Sequence, residues 1–209
     1  MAQSTAEVRD ARRRLRRLRA EFAGDERLAA ERAICRTLGG LSVFRRGARV
    51  ALYLPMRGEV DLRPGLAAAW RRGVAVFVPR ILNRRRGRMA FVAWSPGRAE
   101  RRNTFGIAEP ADASARVPAL RLDAVVLPVV GFDRQGNRLG MGAGYYDRAL
   151  RRRREPGRRW RRPLLVGVAF ACQELPAIPT SPWDVPLDLV VTEHGVMVPA
   201  RRPSARNAR

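Results

Sequence analysis

The stretch LDAVVLPVVGFDRQGNRLGMGAGYYDR, residues 122–148, holds the decisive transition in this chain. Its first nine residues, 122–130, are almost wholly apolar and rich in valine, which predicts a strand covered on both faces. Glycines then recur at 140, 142 and 144, and Tyr145, Tyr146, Asp147 and Arg148 lead into a predicted helix. A strand, a glycine-rich loop and a helix in that order can present backbone N–H groups to an anion. Glycine suits such a loop because it lets the main chain approach closely and take positive φ. The pattern is not a Walker A loop, since no Gly-Lys-Ser/Thr follows. Nor is it the dinucleotide fingerprint, whose third glycine falls one residue beyond Gly144. Spacing alone leaves a phosphate cradle and a plain structural turn both open.

The flanking sequence alternates between strand and helix signals. Strands are predicted at 48–55, 74–80, 88–94, 164–170 and 187–193, each a short apolar run bounded by turn residues. Residues 60–73 fit a helix stopped by Gly73, with Pro64 and Gly65 crowding its first turn. Residues 5–38 lack proline, are rich in Ala, Leu, Glu and Arg, and place Leu15, Leu18 and Phe22 at helical intervals. The segment AGDER at 23–27 divides this helical region, with Asp25 as the expected cap of the second half. The predicted fold class is α/β: a three-layer α/β/α domain with a largely parallel central sheet, preceded by a long N-terminal helical segment. One domain is expected over residues 1–198, with a disordered basic tail at 199–209. The arginine run at 151–163 is expected to be a helix end followed by an exposed loop.

Composition narrows the function classes. The chain has 209 residues, 46% hydrophobic and 29% charged, which suits a globular domain with a substantial core. No apolar run approaches the ~20 residues needed to cross a bilayer, and the first residues offer no apolar core for a secretory signal. Two cysteines far apart fit neither a disulfide framework nor a zinc site. A cytoplasmic, monomeric protein without membrane contact is expected. The charge is unusual: 42 basic against 19 acidic residues, net +23, with every basic residue an arginine. Such a field attracts polyanions. A basic protein on an α/β scaffold that binds nucleic acid non-specifically is therefore the rival reading, although no nucleic-acid-binding motif or interleaving of aromatics with cations accompanies the charge.

Several residues carry both a structural and a functional reading. The paired tyrosines suit half-buried packing, and Asp147 suits the first turn of a helix. Beside a phosphate loop, the same aspartate suits magnesium, which is commonly held by one or two carboxylates plus phosphate oxygens. Asp184, just before the last predicted strand, is the second candidate, because loops at the carboxyl ends of α/β strands converge on one crevice. His194, the sole histidine, is expected to be exposed or capping. Cys35 and Cys172 are expected as small buried residues, Trp70 and Trp94 as core residues, and Trp183 as a shield at the metal edge.

Residues 128–148 resemble the signature of the 5-formyltetrahydrofolate cyclo-ligase, or methenyltetrahydrofolate synthetase, family. YLPMRGEVD at 53–61, FGIAEP at 105–110, AFACQ at 169–173 and the segment 175–193 resemble its other motifs in the same order. The resemblance spans essentially residues 5–195. It implies a ligase that uses MgATP to convert 5-formyltetrahydrofolate, including polyglutamylated forms, to 5,10-methenyltetrahydrofolate, with release of ADP and phosphate. Carried over by position, it implies that Arg138, Leu139, Gly140, Met141, Gly142, Ala143, Gly144, Tyr145 and Tyr146 hold ATP. Leu54 and Glu59, with Met141 to Tyr145, would contact the folate. Asp147 and Asp184 would bind Mg2+, and Arg138, Tyr145 and Asp147 would carry the catalysis. From the first helix, Arg9, Arg12 and Arg13 are the candidates to reach ATP; Val8 stands where family members carry a lysine. Met141 and Ala143 stand where some members carry basic residues.

Overall fold

The computed structural model describes residues 5–104, 106–154 and 162–200. Helices α1 (Thr5–Glu21) and α2 (Gly24–Gly40) precede β1 (Arg49–Ala51), α3 (Arg63–Arg71), β2 (Ala75–Asn83) and β3 (Arg88–Ala93). Short strands β4 (Glu100–Arg102), β5 (Ala108–Pro110) and β6 (Arg116–Val117) lead to β7 (Ala124–Pro128). A small hairpin of β8 (Gly131–Phe132) and β9 (Arg138–Leu139) follows, then α4 (Tyr145–Leu150). The last strands are β10 (Leu164–Val168), β11 (Leu189–Thr192) and β12 (Gly195–Met197).

Eight of these strands form one sheet in the order β12-β11-β10-β7-β1-β2-β3-β6. The pairs β11–β10, β10–β7, β7–β1 and β1–β2 are parallel. The pairs β12–β11, β2–β3 and β3–β6 are antiparallel. The expected parallel sheet is therefore the centre of the structure, with antiparallel edges. Alternate side chains explain how it is covered. Val50, Val76, Val78, Ala124, Val126, Val166 and Val168 pack on one face with Ile34 and Leu38 of α2 and Leu66 and Ala69 of α3. Ala51, Phe77, Val125, Leu127 and Leu165 pack on the other with Leu150 of α4 and with Val185 and Leu187. Both faces are covered by apolar side chains, as a parallel sheet requires.

Helix α1 is displaced to the carboxyl end of the sheet. Its Leu15 packs with Val130, Leu139 and Ile178 in a separate apolar cluster. The division between α1 and α2 falls where expected, but Ala23 occupies the cap position without a side-chain bond, and Asp25 lies in the first turn. An acid there still complements the N-terminal partial charge.

Other expectations are corrected. β1 forms only three residues of ladder, because the chain turns away at Tyr53, whose hydroxyl donates to the Val60 carbonyl at 3.1 Å. The third helix begins only at Arg63, with proline in its first turn, where its missing N–H is harmless. Trp70 is 46% exposed: Leu66 and Ala69 take the sheet-facing stripe of α3. Trp94 is only partly buried and donates its indole N–H to Glu100 at 3.2 Å. Cys172 is exposed and Cys35 partly buried, so neither fits the simple core reading. Trp183 is 69% exposed, too open to shield a site. Of the arginine run, residues 155–161 lie outside the described residues, as do Phe105 and residues 201–209 of the expected tail.

Candidate active site

The β8–β9 hairpin carries the glycine loop, and one carboxylate organises it. Asp133 is fully buried and accepts from the N–H groups of Gln135, Asn137 and Ile178 at 2.9–3.0 Å and from the Asn137 amide at 2.8 Å. The turn it closes contains Gly136 at φ +82°. Leu139 is buried in the α1 cluster, so this member of the expected ATP segment presents only backbone. Beyond it Gly140 has an ordinary φ, whereas Gly142 and Gly144 sit at φ +92° and +62°, where only glycine is at ease. Met141, Gly142 and Ala143 are exposed.

Two arginines grip this loop at different carbonyls. Arg12 of α1 donates its Nε–H to the Gly140 carbonyl at 2.9 Å. Arg148 donates to the Ala143 carbonyl and to the Gly87 carbonyl in the β2–β3 turn, and lies over the Tyr145 ring. Of the three first-helix candidates, Arg12 is the one that reaches the loop. Arg13 pairs with Asp10 in solvent, and Arg9 is exposed.

The acidic candidates lie on the α4 side. Asp147 accepts from Arg138 at 2.5 Å and from the Val185 N–H at 3.2 Å, both through Oδ1. Arg138 also donates to the Val185 carbonyl. Asp184, the residue before Val185, accepts from the Ser181 N–H at 2.7 Å and is half-buried. Val185 thus ties the Asp184 segment to Asp147 and Arg138. Among the described residues no three His, Cys, Asp or Glu side chains cluster as a self-sufficient metal site.

A buried polar group sits between α1 and the end of β1. Glu59 is 7% exposed and accepts from the Met56 N–H at 2.9 Å. Burial raises its pKa above the ordinary glutamate value, against the pull of that N–H and of Arg19. Arg19 is 6% exposed, and its Nε has no hydrogen-bond partner. Burial lowers its pKa, partly offset by Glu59. Tyr146 feels both halves of the site: burial raises its pKa, Glu59 raises it further and Arg138 opposes. Leu54 is buried in the main core. Arg27 fastens this region, donating to the Glu59 carbonyl at 2.7 Å and pairing with Glu31 at 3.0 Å.

The candidates Glu59, the 138–147 segment and Asp184 therefore gather with Arg12 at the carboxyl ends of the central strands, the position where open α/β sheets bind ligands. Sequence reasoning missed Arg19, Asp133 and Arg148. A buried Asp before a Gly-Asn turn has a readable signal; with 42 basic residues, all arginine, no single one stands out.

This is an α/β fold of the methenyltetrahydrofolate synthetase type. The solved structure of Aquifex aeolicus 5,10-methenyltetrahydrofolate synthetase matches it with TM-score 0.77 and 30% identity, covering 97% of this chain and 98% of that one. The profile of the 5-formyltetrahydrofolate cyclo-ligase family matches residues 3–193, and the chain belongs to that family. A 5-formyltetrahydrofolate cyclo-ligase of Haemophilus influenzae is 31% identical over 192 residues, 90% of this chain and 99% of that protein. One of Escherichia coli K12 is 36% identical over 146 residues, 68% of this chain and 76% of that protein.

Proposed function

We propose that this chain converts 5-formyltetrahydrofolate and ATP to 5,10-methenyltetrahydrofolate, ADP and phosphate. The formamide oxygen of the substrate is a poor leaving group. Transfer of the γ-phosphoryl group to that oxygen activates the formyl carbon for attack by N10. The oxygen then leaves within phosphate, and the N10 proton passes to solvent. Little covalent chemistry falls to the protein, so positioning and charge stabilisation dominate.

The residues divide that work as follows. The backbone of Arg138 to Tyr146 holds the triphosphate, with positive φ at Gly142 and Gly144 letting the main chain close on it. Arg12 holds one wall of the loop through Gly140. Arg138 exchanges its contact with Asp147 for phosphate oxygens, which suit its planar fork. Glu59 and the main chain at Leu54, with Met141 to Tyr145, bound the folate, and the Tyr145 ring packed on Arg148 orders the loop end.

Asp147 and Asp184 fit a magnesium ion of the kind held by one or two carboxylates, with phosphate and water completing the shell. Arg138 and the Val185 N–H both bond to Oδ1 of Asp147, which suits this fit. When bound, the ion neutralises charge on the transferring phosphoryl group.

The observation that carries this reading is the bond from Val185 N–H to Asp147, which draws the Asp184 segment against the glycine-loop helix. The test is direct. Purified protein mixed with 5-formyltetrahydrofolate and MgATP should show the near-ultraviolet absorbance of the methenyl product, dependent on each component. A folded protein giving no such rise would reject the proposal.

A further inference from the structure

The β2–β3 turn and the glycine loop face each other across a cleft of about 380 Å³. Four of the seven residues lining it are arginines, Arg84, Arg85, Arg86 and Arg148, and none is acidic. Hydrogen bonds pin the two walls of the cleft to each other. The Arg148 guanidinium spans both walls, with Nε bonded to the Gly87 carbonyl at 3.1 Å and Nη2 bonded to the Ala143 carbonyl. Gly87 sits at φ +56°, and a methyl group there would fall 2.1 Å from Arg148, so the turn closes directly on the guanidinium. The Asn83 side chain accepts from the Arg86 N–H at 2.8 Å, and the Arg84 carbonyl accepts from the Gly87 N–H at 3.1 Å. These bonds fix the backbone of one tight turn that carries three consecutive exposed arginines.

Arg85, Arg86 and Arg148 alone bring three like charges to this edge of the loop, a field that draws an anion. Guanidinium groups pair readily with carboxylates and phosphates alike. We propose that this cleft is a second anion subsite beside the loop, taking the multiply charged end of one of the two substrates. That end is either the nucleotide's phosphates or the carboxylates of a glutamate tail on the folate. The inference rests on the cyclo-ligase reading for which substrates are present, and on the cleft alone for the anion.

The test compares the double variant Arg85→Ala/Arg86→Ala with Arg45→Ala/Arg71→Ala. The second pair removes the same charge from exposed positions elsewhere, Arg45 in the turn before β1 and Arg71 at the end of α3. Loss of two guanidinium partners should raise the KM for ATP roughly tenfold with kcat little changed if the phosphates are bound. It should instead abolish any preference for triglutamylated over monoglutamylated substrate if the tail is bound. The control pair should do neither. Calorimetric titration with inorganic tripolyphosphate and with a γ-linked triglutamate peptide reads the cleft without turnover. One of them should bind roughly tenfold more weakly to the cleft variant than to the control. Equal behaviour of the two variants in all arms overturns the subsite. Absence of turnover in the parent protein overturns the cyclo-ligase reading and leaves the titrations to decide the cleft. Should the alanine pair lower Tm, Arg85→Gln/Arg86→Gln replaces it.

Discussion

Gly140 and Gly142 are two positions apart, yet they should respond differently to a methyl group. Gly140 has open space where a Cβ would stand and no positive φ, so Gly140→Ala should leave Tm unchanged. Gly142 at φ +92° must bend an L-residue into a disfavoured region, which costs about 1–2 kcal/mol. Gly142→Ala should lower Tm measurably in thermal melts. Asp147→Asn keeps an acceptor for Val185 but removes the charge. It should reduce turnover by about two orders of magnitude in the absorbance assay while far-ultraviolet circular dichroism stays unchanged. Glu59 carries a pH signature. Its folded-state pKa lies above the ordinary value. The stability contributed by the protonated group is present below the ordinary glutamate range and is lost as pH rises through the higher folded value. Denaturant titrations across that window should show wild type losing ground to Glu59→Gln with increasing pH. A flat or rising difference would mean that the Arg19 charge outweighs burial. The loop glycines, Asp147 and Asp184 were legible because few residue types serve those conformations and charges. Arg19 was not, because its burial follows from where α1 docks, which no local pattern encodes.

The strands were legible where alternate side chains are both buried, as at Val76, Phe77 and Val78. Strands β4, β5, β6 and β12 were not, because two or three residues are too few to show a period. The β4–β5 hairpin is nevertheless held by a specific charge. Glu109 is 1% exposed and accepts from Arg101 at 2.8 Å, Asn103 at 3.2 Å and the Ile81 N–H at 3.2 Å, with Arg80 at 3.8 Å. Arg80 is itself largely buried. Glu109→Ala would strand that cation and should cost about 3 kcal/mol in chemical denaturation. The docking of α1 gives a paired prediction. Arg12→Ala removes the bond to Gly140 and should raise the KM for ATP several-fold, in keeping with the loss of one hydrogen bond of about 1 kcal/mol. Arg13→Ala, whose partner is solvent-exposed Asp10, should change neither KM nor Tm.

Across the molecule the dominant property is the net charge of +23. It predicts a salt effect on the reaction, since both substrates are anions: kcat/KM should fall as ionic strength rises through the range where the Debye length contracts to about 8 Å. A flat profile would argue against steering. Tight, steeply salt-dependent binding to RNA or DNA would favour the nucleic-acid reading instead. No helix among the described residues is long and apolar enough to cross a membrane.

The site draws on Arg12 near one end of the described chain and on Val185 near the other. A ribosome must therefore translate nearly the whole described chain after the first element of the pocket before the last emerges. A nascent chain can bury much of its sheet earlier, but the bond from Val185 to Asp147 cannot form until β10 and the segment after it have left the exit tunnel. On the proposed reading, nucleotide can therefore assist folding only once Val185 has emerged.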